Sequence, residues 1–131
     1  MPQLRRVGRV LVIIPIPPKV LHPNARTRNF RYRAAMAKKA RGDAMAVALA
    51  AGLRIAGPVV MHATWYHRQR CFRRHDDDNL TAWLKASRDG IAEACGIDDQ
   101  LISMGSHTQD KDTRNPRVEI RFTPGIDNQN G

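Results

Sequence analysis

Three consecutive carboxylates, Asp76-Asp77-Asp78, stand in a strongly basic chain, and a second acidic pair, Asp98-Asp99, follows after one helix-length of sequence. Residues two apart in an extended segment point the same way, so Asp76 and Asp78 are expected to converge while Asp77 turns aside. Two close carboxylates repel, and both stay ionised most readily around a divalent cation. A strand paired beside the one leading into Asp76 would bring an acid of the second pair to the same end of the sheet. That makes an all-oxygen site, which suits Mg²⁺, with Mn²⁺ possible, rather than zinc. An EF-hand fits less well, because Leu80 stands where an oxygen ligand is needed and the turn glycine is missing. Cys71, His75 and Cys95 have no recognised zinc spacing.

The charge distribution supplies a substrate for such a site. Seven of the 12 acidic residues fall between Asp76 and Asp99, whereas the first 75 residues hold 16 Lys and Arg against the single acid Asp43. A net charge of +10 and a pI near 10.8 imply a polyanionic partner, nucleic acid before membrane. Arg31, Arg33 and Lys38, with Lys39, Arg41, Arg26 and Arg28 nearby, read as phosphate contacts rather than a merely solvated face. Arg70, Arg73, Arg74 and His75 run directly into the carboxylates, either neutralising them or holding a phosphate beside them. His22 and Asn24 fall in a turn where polar groups face a ligand as easily as water, and a structural role is the simpler reading of His22.

Metal-assisted phosphodiester hydrolysis follows from a carboxylate-bound cation at the centre of a DNA-binding surface. On a helical wheel Asp78, Lys85 and Asp89 share a stripe. Lys85 either forms a surface ion pair with Asp89, worth about 0.3–0.5 kcal/mol, or reaches back to stabilise charge on a phosphorane-like transition state. Both readings stand at this point.

These residues need a scaffold, and 131 residues allow one domain with one core. Arg9 to Ile16 reads as a strand closed by Pro17-Pro18. Asn29 to Leu53 reads as a helix with a small-residue face of Ala34, Ala37, Ala44, Ala48 and Ala51. Val59 to His67 alternates as a second strand, Met61, Ala63 and Trp65 lying on its apolar side. Asp78 to Cys95 carries Leu80, Trp83, Leu84, Ile91 and Ala94 at helical spacing, with Asp77 or Asp78 expected as N-cap and Gly96 as terminator. Leu101 to Gln109 and Pro116 to Thr123 complete the set as strands joined by a polar hairpin.

The expected fold is thus α/β, more exactly α+β, a small single domain with a mixed four-stranded sheet in the order β-α-β-α-β-β with two helices. The domain is placed at residues 1–123, with 124–131 as a disordered tail. Two distant cysteines make no disulfide framework and no run is long enough to span a bilayer, so the expected setting is a reduced cytoplasm, on the nucleoid.

Taken together, Asp76-Asp77-Asp78-Asn79-Leu80, Leu84-Lys85-Ala86 with Asp89-Gly90-Ile91, and Gly96-Ile97-Asp98-Asp99-Gln100-Leu101-Ile102 resemble the RusA-type Holliday junction resolvases. Pro15-Ile16-Pro17-Pro18 extends the similarity, which covers most of Arg9 to Thr123. The resemblance implies a homodimer that makes paired nicks across four-way DNA using Mg²⁺. It places the catalytic, metal-binding carboxylates at Asp76, Asp78 and Asp99, and matches Asn79 to the family asparagine at the DNA. The family lysine falls where this chain has Ala82; assigning that role to Lys85 moves it three residues, about 4.5 Å along a helix at 1.5 Å per residue. The expected activity is therefore a structure-selective, Mg²⁺-dependent endonuclease on branched DNA. The competing expectation is a non-catalytic nucleic-acid-binding module in which arginines and Asp76 to Asp78 form structural ion pairs.

Overall fold

A computed structural model describes residues 12–26, 29–68 and 75–125. Four strands form one mixed sheet: β1 (Val12–Ile14), β2 (Val59–His67), β3 (Ile102–Lys111) and β4 (Arg117–Pro124). Their order across the sheet is β1-β4-β2-β3, with β4 antiparallel to both neighbours and β2 parallel to β3. Three α-helices, α1 (Phe30–Ala51), α2 (Asp77–Trp83) and α3 (Lys85–Cys95), accompany single 3₁₀ turns at Lys19–Leu21 and Asp99–Leu101. The domain is α+β, as its sequence implies.

Alternation explains the sheet. Met61, Ala63 and Trp65 of β2, Val118, Ile120 and Phe122 of β4, and Val12 and Ile14 of β1 are all buried in one core with Leu80, Trp83, Leu84 and Ile91. Helix α1 contributes Ala40, Ala44 and Ala48, so its packing stripe runs at four-residue spacing through its second half. Ala34 and Ala51, expected on that stripe, are exposed. Against it lies Gly90 of α3, where a Cβ would collide with the backbone carbonyl of Arg41; two helices this close tolerate no side chain at that point.

Helix boundaries follow local chemistry. Asn29 caps α1, its side-chain oxygen accepting from Tyr32 N–H at 2.9 Å, and Gly52 and Gly96 end α1 and α3 with φ of 66° and 67°. The single helix expected from Asp78 to Cys95 is two, divided at Leu84, whose φ −89°, ψ −3° lies at the edge of the helical region. The expected cap also shifts: Asp76 is the N-cap, through its carbonyl, which accepts from Leu80 N–H at 3.0 Å. At the other end, Pro124 belongs to β4 and Gly125 N–H donates to Pro58 O at 2.8 Å, so the domain extends past residue 123. The rest of the expected tail, 126–131, lies outside the described residues, as do Arg9 to Leu11 of the expected first strand.

One irregularity matters for the site. Met61 pairs with Met104 but Ala63 pairs with His107, so β3 spends two residues, Gly105 and Ser106, opposite the single residue His62. This β-bulge reverses the alternation of β3, turning His107 and Gln109 to the helix-covered face. Gly105 is required there, since a Cβ would lie 2.6 Å from the His62 ring.

Candidate functional site

Helix α2 begins at the acidic block, so Asp77 and Asp78 occupy its first turn and the alternation of an extended chain does not govern them. Asp76, Asp77 and Asp78 are all exposed, and no side-chain cap bond is made by Asp76. The N-terminal end of a helix favours negative charge, which stabilises the block without neutralising it.

What aims this turn is Gln109. Its Oε1 accepts from His75 N–H at 3.1 Å while its Nε2 donates to His75 O at 3.0 Å, clamping the backbone immediately before Asp76. The same Oε1 lies 3.1 Å from His67 Nε2, which therefore carries the proton and donates. Gln109 reaches this position because the bulge has turned it inward.

A second line of bonds lies deeper. Trp65 Nε1 donates to His107 Nδ1 at 3.0 Å, and indole only donates, so His107 holds its proton on Nε2 and gives it to Thr81 Oγ1 at 2.9 Å. Burial holds His107 below the usual histidine range, opposed by the negative charge of Asp77. Asp77, expected to turn aside from the chemistry, is thus the acid whose field reaches this histidine. Burial lowers His67 as well; its bond to Gln109 opposes this and the charge of His75 adds to it.

Around Trp83 the rings gather. Trp83 stacks on Trp65 with centroids 5.0 Å apart, meets His22 at 5.1 Å and His75 at 5.8 Å, and donates from Nε1 to Pro18 O at 3.0 Å. That last bond ties the proline element to α2. The rings line a cleft of about 830 Å³ that also takes in Lys19, Asn24 and Arg68. His75 therefore sits both in the cleft wall and next to the acidic turn.

Asp99 is elsewhere. The parallel strands β2 and β3 are joined by a crossover through α2 and α3, so an acid before α2 and an acid after α3 lie at opposite ends of the sheet. Asp99 precedes Ile102, which pairs with the first residue of β2, whereas Asp76 follows a residue clamped by Gln109. At about 3.3 Å per residue, the length of β3 between these points is about 20 Å. The expectation that Asp99 joins Asp76 and Asp78 within one chain is corrected by this topology. Consistently, no group of three or more His, Cys, Asp or Glu among the described residues is placed to hold a metal ion. The donor types suit a hard cation; the described residues of one chain bring only Asp76, Asp77 and Asp78 together at this turn. Asp98, the neighbour of Asp99, is occupied as a cap, its Oδ1 accepting from Gln100 N–H at 2.9 Å.

Lys85 opens α3 and donates to Asp89 Oδ2 at 3.2 Å, so the surface pair is formed; its side chain is 64% exposed. Arg31 and Lys38 are exposed on α1, Arg33 is half-buried there, and Asn79 is half-buried in α2. Arg70, Arg73 and Arg74, with Arg28 and Cys71, lie outside the described residues; Arg68 and His75, which flank that run in sequence, both line the cleft. Gln109, His107 and His67 were not singled out by sequence: polar residues on strands carry no positional signal, and the bulge that orients two of them is announced only by Gly105.

Among the described residues no helix is long and apolar enough to cross a membrane. No protein-family model matches the chain. A protein of Xylella fastidiosa (strain Temecula1 / ATCC 700964), named "Uncharacterized protein", is 38% identical to it over 121 residues, covering 88% of this chain and 76% of its own length. At that identity and coverage, the chain belongs to the same family as this Xylella fastidiosa protein.

Proposed function

We propose that the chain is a Mg²⁺-dependent, structure-selective DNA endonuclease of the RusA type that resolves four-way junctions as a homodimer. One observation carries the reading. Elsewhere in the described residues the acids are engaged: Asp43 with Lys39, Glu93 with Arg41, Asp89 with Lys85, Asp112 and Glu119 with Arg117, and Asp98 and Asp110 with backbone N–H groups. Among the described residues, Asp76, Asp77, Asp78 and Asp99 have neither ion pair nor side-chain hydrogen bond. In a chain of net charge +10, carboxylates left unpaired are available to an external cation. A structural Asp/Arg cluster, the competing reading, requires ion pairs that no Arg among the described residues makes with these four; Arg70, Arg73 and Arg74 lie outside the described residues.

Two copies reconcile the separation of Asp99. In a two-fold arrangement Asp99 of a second copy would complete the set begun by Asp76 and Asp78, and the symmetry would match that of a four-way junction. Asp76, Asp78 and Asp99 of a second copy would hold a divalent cation, which would supply positive charge to the phosphoryl oxygens and acidify a bound water. The chain's own residues do the remainder: Gln109 fixes the turn, while Lys19 and Arg68 in the cleft and Arg31 and Lys38 on α1 attract the phosphate backbone.

The test is cleavage of a four-way junction against a linear duplex of the same sequence, with Mg²⁺ or with EDTA. Paired nicks in the junction that need Mg²⁺ are expected. Binding of both DNAs with no cleavage under any divalent cation would leave a binding module instead.

A further inference from the structure

We propose that the cleft beside the acidic turn is a nucleotide pocket, in which an unstacked base lies against the rings of His22, His75 and Trp83 and its phosphate meets Lys19 and Arg68. The inference deepens the endonuclease reading and rests on it for the choice of polymer. At about 830 Å³ the cleft has the volume of a site for a small organic ligand, with room for a nucleotide. Its wall combines planar rings with cations and, among the described residues, contains no Asp or Glu, so it complements a ligand that is flat, aromatic and anionic. A cationic or amine ligand finds no counter-charge there.

The rings are fixed before any ligand arrives. Trp83 is held by its stack on Trp65 and its bond to Pro18 O, and His22 packs 5.1 Å from both Trp83 and His75. Asn24 N–H donates to His22 Nδ1 at 3.1 Å, which places the His22 proton on Nε2, and that N–H has no acceptor among the described residues. A base offers both a π face and ring or carbonyl acceptors, and base stacking on aromatic side chains tolerates any sequence. Because His75 borders both the cleft and Asp76, a base held here carries its own phosphodiester toward the acidic turn.

The experiment uses the full-length protein in EDTA and a four-nucleotide single strand containing 2-aminopurine, whose fluorescence falls on stacking. Quenching on binding is expected, with affinity about tenfold weaker for a strand of the same length bearing an abasic site, the effect of one stacked base. His22→Ala is expected to abolish most of that difference, and Lys19→Ala, at an exposed position, to weaken both strands together. Equal affinity for the base-containing and abasic strands would overturn the pocket, as would unchanged quenching in His22→Ala with native circular dichroism. Failure of the nuclease reading is separate: base-dependent binding without Mg²⁺-dependent cleavage retains the pocket and removes the enzyme.

Discussion

The acidic turn and the histidine cluster meet at the peptide bond between His75 and Asp76, yet they are built on opposite principles. Asp76, Asp77 and Asp78 are exposed at the mouth of a helix, without an ion-pair partner among the described residues. Behind them, His67 and His107 are buried and hydrogen-bonded into the edge of the core. Charge that must be available to a ligand is kept solvated, and rings that must keep one tautomer are kept dry. The difference teaches where the energy of folding resides: the histidines hold the site together, and the acids contribute little to stability while being ready for chemistry.

The sharpest way to break this contrast is Asp78→Asn. Loss of cleavage by about a hundredfold or more is expected, with a change in stability under about 1 kcal/mol, the scale of one charge at a helix end. Junction cleavage and urea unfolding measured on the same preparation check both halves. Asp76→Asn and Asp99→Asn, each inactive alone, should regain activity when unfolded and refolded together, because a mixed dimer contains one complete set of acids; failure of the mixture to cleave would remove the shared site.

His107→Leu should do the reverse. It leaves the buried Trp65 N–H without an acceptor, so a loss of about 1–3 kcal/mol is expected in urea unfolding. Activity per folded molecule should stay near the wild-type level. Gln109→Leu tests the joint between the two regions: releasing the His75 backbone should lower turnover about tenfold, as loss of a group that orients a ligating residue does, with junction affinity measured by gel shift unchanged.

A pH series is a gentler probe. Burial holds His22, His67 and His107 below their ordinary value of 6.5, so the unfolded chain binds more protons than the native one as pH falls through that value. Their contribution to stability is full above 6.5 and declines below it, and Tm should fall between pH 7 and pH 5. His107→Leu should flatten that slope. The smallest effect expected is that of Lys85→Ala, about 0.3–0.5 kcal/mol for an exposed i,i+4 pair; a large fall in turnover without loss of junction binding would instead give Lys85 a part in the chemistry.

Much of this was legible in residue patterns and some of it was not, for identifiable reasons. The apolar faces of β2 and β4 follow strict alternation, and the helix termini carry asparagine and glycine where capping requires them, so those elements read directly. The acidic block was visible as an anomaly of charge. Its internal geometry was not, since whether Asp77 lies in an extended segment or a helical turn depends on a boundary one residue away. The distance to Asp99 is a property of the crossover between parallel strands, which reverses the chain's direction between the two acidic groups. Gln109 and His107 were hidden because alternation counted from Ile102 and Met104 assigns them to the wrong side of the sheet.

That miscount is set by Gly105, and its meaning goes beyond packing. The bulge works as a frame shift within a strand. Were β3 paired regularly from Met104 onward, without the bulge, it would present Ser106 and Thr108 to the helices, and their hydroxyls are too short to bridge to Trp65 or to the His75 backbone. The sheet would keep its strands and their order while losing the parts that aim the acidic turn. The identity of this site therefore depends on where the pairing of a strand slips as much as on its side chains, and a relative with the same residues but regular pairing at this point would share the fold without sharing the site.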